Sequence, residues 1–112
     1  MRIYFRTKKL GKECSSLQAM QRRHGQKGAA RLAQRLMELA ATENLAQISH
    51  LPPARCHELS GNRAGCFSVD LDHPFRLIFI PANDPVPCLV DGGVDLKRVT
   101  EVEIIEIVDT HK

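Results

Sequence analysis

Aromatic residues are scarce in this chain, with four Phe, one Tyr and no Trp among 112 residues. The core must therefore be mainly aliphatic, and stacking of bases on rows of aromatic side chains is not an evident way to bind nucleic acid. No apolar run approaches the about 20 residues that a helix needs to span a bilayer. The N-terminus, MRIYFRTKKL, also lacks an apolar signal-peptide core. We therefore expect a cytoplasmic protein without a membrane partner.

Closely spaced cysteine pairs are absent as well. The four cysteines are irregularly spaced and form no C-x-x-C pair, which is the common zinc and redox pattern: Cys14, Cys56, Cys66 and Cys88. Cys56, His57 and Cys66 are the nearest approach to a ligand set, and no second close pair completes it. The sequence therefore predicts buried free thiols, with no metal and no cofactor.

Acidic residues are nearly missing from the first third of the chain. The formal net charge is +3, but residues 1–35 contain ten Lys and Arg against the single acid Glu13. The remainder, residues 36–112, has twelve acids against six bases. A solvated basic helix face would be ordinary, but this imbalance exceeds what solubility requires. It favours a polyanionic partner for the N-terminal region.

The N-terminal half predicts one strand followed by helices. Ile3 and Phe5 alternate with polar neighbours, as in a strand with one buried face. Ser15 or Ser16 is suited to cap a helix that ends at His24, with Gly25 after its last turn. The next helix carries an apolar stripe at helical spacing, formed by Ala29, Leu32, Ala33, Leu36, Leu39 and Ala40.

The C-terminal half predicts three strands, at 66–71, 75–80 and 99–108, the first two joined as a hairpin by Asp72-His73-Pro74. In the last strand the apolar phase shifts between Ile104 and Ile105, so this strand is either bulged or covered on both faces. A chain of this length forms one domain, residues 1–112. We expect an α+β fold, with a helical hairpin packed on a small antiparallel sheet.

Arg76 is the most informative charged residue, because four apolar residues follow it in the same strand. Its charge must face solvent, an anionic ligand or a carboxylate, and an ion pair with Asp70 or Asp72 is as well supported as a ligand. Arg63 lies between Gly61 and Gly65, in a loop that allows close approach to an anion or that simply forms a tight turn.

Two histidines are candidates for proton transfer near neutral pH. His111 follows the last strand by a few residues and comes after Asp109, although a terminal histidine is usually a solvated side chain. His57 precedes the Arg63 loop. A separate basic surface is predicted on the helices, where Lys27, Arg31 and Arg35 recur every four residues and follow Arg22 and Arg23.

These residues also carry a family resemblance. The run Arg55-Cys56-His57-Glu58-Leu59-Ser60-Gly61-Asn62-Arg63-Ala64-Gly65 resembles the corresponding segment of HigB-type toxins of the RelE/ParE superfamily. The similarity continues through Pro74 to Phe79, Gly92 to Asp95, and the ending Glu103 to His111. Thr110 stands where the family usually has a tyrosine, so a phenolic hydroxyl is missing at that position.

The resemblance implies a RelE/ParE-like fold and the toxin of a type II toxin–antitoxin system. Such toxins cut messenger RNA on the ribosome without a metal, and their partner is a helix-turn-helix antitoxin of the HigA type. The family's catalytic residues would correspond to Arg76, Asp109 and His111, with Arg63 and His57 assisting. The basic helical residues would bind ribosomal RNA.

The same resemblance is compatible with two other functions. ParE toxins inhibit DNA gyrase by binding and have no nuclease site. A relative that binds the ribosome or the antitoxin without cutting RNA is the third hypothesis, and Thr110 keeps it open. The combination of Arg76 and His111 favours the nuclease, because a gyrase inhibitor does not need both.

Overall fold

Five strands form one sheet in the computed structural model, which describes residues 1–48 and 54–109. In chain order they are β1 (Arg2–Phe5), β2 (His57–Glu58), β3 (Phe67–Asp70), β4 (Phe75–Pro81) and β5 (Glu101–Asp109). Their order in the sheet is β1-β5-β4-β3-β2. The α+β class is confirmed.

The sheet is mixed, so the prediction of an antiparallel sheet is wrong in one respect. β1 runs parallel to β5, whereas the other neighbouring strands are antiparallel. The helices and three strands separate β1 from β5 along the chain. A parallel neighbour requires such a long crossover, and no local sequence pattern fixes its direction.

Three helices follow β1, namely α1 (Lys8–Glu13), α2 (Leu17–Ala41) and α3 (Leu45–Ile48). Ser16 caps α2 as predicted, because its hydroxyl accepts a hydrogen bond of 3.1 Å from the amide of Ala19. Gly25 breaks α2 into the two predicted segments, which join at this residue without a loop. No helix in the described part of the chain is long and apolar enough to cross a membrane.

Gly25 has φ 75° and ψ 176°, a conformation that is essentially restricted to glycine. We expect Gly25→Ala to lower the free energy of unfolding by about 1–3 kcal/mol, measured by urea denaturation. Gly11→Ala is the matched control, since Gly11 lies inside α1 and an added Cβ would meet Phe5 at an ordinary 3.9 Å. An equal loss in both variants would contradict the role assigned to the backbone of Gly25.

The core lies between the helices and one face of the sheet. Leu32 and Leu39 of α2 are buried in the same cluster as Val69, Leu77 and Phe79 of the sheet. The rings of Phe67 and Phe79 stack across β3 and β4 at a centroid distance of 6.0 Å. Aliphatic side chains dominate the cluster, as the composition predicts.

A bulge in β5 explains the phase shift of its apolar residues. Ile78 pairs with Glu106 and Phe79 pairs with Ile104, so Ile105 has no partner opposite it in β4. The sequence left two explanations open, a bulged strand or a strand covered on both faces, and the bulge is confirmed. Because of the extra residue, Ile104 and Ile107 both pack toward the core, and Glu106 faces the other side of the sheet.

Candidate functional site

The face of the sheet that points away from the helices carries a cluster of polar side chains. Asp70 pairs with Arg76, and Ser68 pairs with both His57 and Ile78. Directly paired residues project to the same side of a sheet, and so do residues two apart along one strand. We call the resulting set the polar sheet face, formed by His57, Ser68, Asp70, Arg76 and Glu106.

Arg76 is the centre of the polar sheet face. Its Nη1 donates to the hydroxyl of Ser68 at 3.2 Å and to Nε2 of His57 at 3.1 Å. Its Nε lies 3.5 Å from Oδ1 of Asp70, so the ion pair with Asp70 is present, whereas Asp72 contacts Lys27 instead. Arg76 nevertheless keeps 25% of its side chain exposed, and a ligand can therefore reach the guanidinium.

The contacts of His57 define its tautomer. An arginine can only donate, so Nε2 of His57 accepts from Arg76 and carries no proton. Nδ1 then bears the proton and donates to the backbone carbonyl of Arg55 at 3.1 Å. His57 is thus a neutral, exposed imidazole whose unprotonated nitrogen points at the guanidinium. That nitrogen is able to accept a proton once the guanidinium turns to a ligand.

Arg55 supports this arrangement, although the sequence did not single it out. Its φ of 52° is in the left-handed region, which is uncommon for a residue other than glycine. Its carbonyl accepts from His57, and its Nε lies 3.6 Å from Oδ2 of Asp70. No local pattern signals a left-handed arginine. Ser68, also missed, is detectable as a polar residue between the apolar Phe67 and Val69, and its side chain is itself buried.

Arg63 reaches the polar sheet face through Glu106. It ends a short 3-10 turn, Gly61–Arg63, and Nη1 contacts Oε1 of Glu106 at 2.5 Å. The loop is closed by Glu58, whose carboxylate accepts from the amide of Gly65 at 3.1 Å. Gly65 needs its φ of 89°, a value that other residues rarely adopt. The loop therefore carries an arginine that remains 44% exposed.

Asp109, at the end of β5, pairs with Phe75, the residue before Arg76. The end of β5 therefore lies beside the start of β4, but the side chain of Asp109 shares the face of Phe75, because paired residues project to the same side, and not the face of Arg76. His111 and Thr110 lie outside the described residues. The orienting role of Asp109 and the catalytic role of His111 accordingly stay predictions.

Four of the five basic residues predicted to bind RNA are accessible. Arg22, Arg23 and Lys27 are exposed, and Arg31 is partly exposed. Arg35 is fully buried, so its assignment to the RNA-binding surface is wrong. A helix has about 3.6 residues per turn, so residues spaced four apart shift gradually around it. The series Lys27, Arg31 and Arg35 therefore rotates toward the apolar stripe, and its last member is buried.

Arg35 instead joins α2 to the sheet. Its Nε donates to the backbone carbonyl of Asp70 at 2.6 Å, and Nη1 donates to Glu38 at 3.0 Å. We expect Arg35→Ala to destabilise the protein by about 3 kcal/mol or more, because it leaves a cavity and uncompensated polar groups. Arg31→Ala should cost less than about 0.5 kcal/mol. Thermal unfolding of both variants checks this, and equal stability would contradict a structural role for Arg35.

Two of the cysteines, Cys14 and Cys56, carry thiols whose reactivity is suppressed by burial. All four are free thiols, but none is fully buried as predicted: Cys88 is exposed, and Cys14, Cys56 and Cys66 are only partly buried. Burial raises the pKa of Cys56 to about 12 and that of Cys14 to about 11. Cys56 therefore stays a protonated thiol at neutral pH, although it neighbours His57. No group of three or more metal-binding side chains occurs within residues 1–48 and 54–109.

The polar sheet face combines a guanidinium, a neutral imidazole and a hydroxyl on adjacent strands. A guanidinium binds phosphate oxygens, and a neutral imidazole accepts protons, so the set suits chemistry at a phosphodiester. Comparison with known proteins gives no significant match, either to a protein-family model or to a curated protein.

Proposed function

We propose that this protein is the toxin of a type II toxin–antitoxin system, a RelE/ParE-like, metal-independent endoribonuclease that cuts messenger RNA on the ribosome. The observation that carries the proposal is the contact between Nη1 of Arg76 and Nε2 of His57, on the accessible face of the sheet. It joins a phosphate-binding cation to a proton acceptor. The resemblance of the sequence to HigB-type toxins supplies the biological setting.

Cleavage begins when the scissile phosphate binds at Arg76. The phosphate oxygens compete for the guanidinium with Asp70 and His57, and Nε2 of His57 is then free. His57 accepts the proton of the ribose 2′-hydroxyl, whose oxygen attacks the phosphorus. Arg76 stabilises the added negative charge on the pentavalent phosphate, and Arg63 assists from the neighbouring loop.

The reaction is completed by protonation of the leaving 5′-oxygen. His111, oriented by Asp109, is the residue we assign to this step, which breaks the bond from phosphorus to the 5′-oxygen. The products are a 2′,3′-cyclic phosphate and a 5′-hydroxyl. This assignment makes His57 the base and His111 the acid.

Ribosomal RNA is held by a different surface in this proposal. Arg22, Lys27 and Arg31 are accessible on α2, and Lys27 is 86% exposed. These residues bind the RNA backbone, so affinity for the ribosome decreases as salt increases. A cytoplasmic HigA-like, helix-turn-helix antitoxin is the proposed inhibitory partner.

Translation-dependent cleavage tests the proposal. Purified protein is added to a reconstituted translation reaction, and the message is examined with and without initiation; a parallel reaction measures supercoiling by gyrase. We expect the message to be cut only when it is translated, with gyrase unaffected. Inhibition of gyrase without cleavage would support the ParE-like hypothesis, and ribosome binding without either effect would support the inactive relative.

A further inference from the structure

Phe75 is an aromatic residue whose exposure the fold does not explain. It begins β4 directly before Arg76, and 41% of its surface is exposed. Phe67 and Phe79, the other phenylalanines of the sheet's central strands, are buried and stack on each other. An exposed aromatic ring at the edge of a core is available for contact with another planar group.

The ring of Phe75 lines a cleft of about 420 Å³ between α1, the first segment of α2 and strands β4 and β5. We call it the Phe75 cleft. Its apolar part includes Ile105 and Ile107, and the bulge in β5 leaves Ile105 partly exposed there. The cleft is large enough to accept a nucleobase and part of its ribose.

Both carboxylates that line the Phe75 cleft have partners of their own. Glu13 contacts the imidazole of His24, and the carboxylate of Glu106 forms an ion pair with Arg63 on the polar sheet face. Lys9 and Arg23 also line the cleft, and neither has an ion pair within the described part of the chain. An anionic group beside the ring would therefore be attracted by two free cations.

Phe75 also borders the site of the proposed reaction. A second cleft, of about 260 Å³, is lined by Phe75 together with Arg55, Asp70 and Arg76. Neighbouring residues of a strand point to opposite faces, so the start of β4 separates the two clefts by a single residue. A polynucleotide that has one phosphate at Arg76 can pass around this strand end into the Phe75 cleft.

We propose that the Phe75 cleft is a subsite for single-stranded RNA, a deepening of the proposed function on which it rests. The base next to the scissile phosphate stacks on Phe75, and Arg23 and Lys9 bind the following phosphate. An aromatic ring flanked by cations matches the alternation of base and phosphate in a single strand. The exposed ring of Phe75 favours RNA over an acidic peptide, which has carboxylates for the cations and for Arg76 but no planar base to stack on the ring.

A tryptophan reporter tests this subsite, because the chain has no Trp of its own. Phe75→Trp is titrated with a short single-stranded RNA that carries 2′-O-methyl groups and so lacks the attacking hydroxyl. We expect fluorescence quenching by this RNA and none by an oligonucleotide of equal length with abasic positions. Phe75→Leu keeps apolar bulk and should bind the RNA about 10-fold or more weakly than the unmodified protein.

Tyr4→Leu is the matched control, since Tyr4 is equally exposed, at 41%, and lies on the edge strand β1, away from the Phe75 cleft. It should bind RNA like the unmodified protein. Unchanged affinity in Phe75→Leu would overturn the subsite, and so would quenching by poly-glutamate but not by RNA.

The same reagents separate the subsite from the proposed function. Arg76→Gln introduced into the Phe75→Trp protein should retain RNA-dependent quenching although it cannot cut. If the unmodified protein cuts no message while the fluorescence of Phe75→Trp is quenched by RNA alone, the nuclease proposal fails and the subsite stands. If the protein cuts translated message and Phe75→Leu binds and cuts equally well, the subsite fails and the nuclease proposal stands.

Discussion

Replacement of Arg76 by Gln is expected to reduce cleavage of translated message by about 10²–10³-fold. The glutamine keeps a hydrogen-bond donor near Ser68 but removes the positive charge that stabilises the pentavalent phosphate. Single-turnover cleavage on stalled ribosomes measures the chemical step directly. Binding to the ribosome should be nearly unchanged, because the exposed basic residues of α2 are intact.

Two further variants test whether the loss of cleavage is specific to the guanidinium of Arg76. Arg76→Lys keeps the charge, but an ammonium cannot contact Ser68, His57 and Asp70 together as the guanidinium does. We therefore expect its activity to lie between those of Arg76→Gln and the unmodified protein. Arg98→Gln removes an exposed arginine from the short helix Leu96–Arg98 and should leave cleavage unchanged. Full activity of Arg76→Gln would exclude Arg76 from the reaction.

Loss of the imidazole of His57 is the second large effect, with an expected decrease in cleavage of about 10²–10⁴-fold. His57→Ala and His57→Asn should both show it. Asparagine can still donate to the carbonyl of Arg55 or accept from Arg76, but it cannot accept a proton. Single-turnover rates of both variants on stalled ribosomes check the assignment.

The asparagine variant distinguishes proton transfer from positioning. If His57 only orients Arg76, His57→Asn should recover most of the activity that His57→Ala loses. In that case the role of general base would pass to His111. His111→Ala tests that residue independently, and cleavage at the unmodified rate would exclude it.

Local features of the fold were predictable because local chemistry determines them. Ser16 caps a helix with its own hydroxyl, and Gly25 adopts a conformation that other residues avoid. The alternation of Phe67 and Val69 with Ser68 and Asp70 fixed the faces of β3, and the phase shift at Ile105 indicated the bulge. Each of these signals lies within a few residues of its effect.

Features that depend on distant parts of the chain were not predictable. The direction of β1 is set by pairing with β5, about a hundred residues later. Arg35 appeared to be a surface cation, and its burial depends on acceptors from Asp70 and Glu38. The left-handed backbone of Arg55 likewise has no local cause in the sequence.

The candidate site was predictable in its components and only partly in its geometry. Arg76, Arg63 and His57 are all brought to one face of the sheet. The direct contact of Arg76 with His57 follows from the pairing of β2 with β3 and of β3 with β4, which sequence alone does not supply. Because of this contact we propose His57 as the general base, whereas the sequence indicated only an assisting role.

The chemical ends of the cut message test the central claim most directly. Attack by the 2′-hydroxyl must leave a 2′,3′-cyclic phosphate on the upstream fragment and a 5′-hydroxyl on the downstream fragment. We predict these ends with the unmodified protein on translating ribosomes, and their loss with Arg76→Gln. A 3′-hydroxyl with a 5′-phosphate, or identical ends and yield in the Arg76→Gln reaction, would contradict the account.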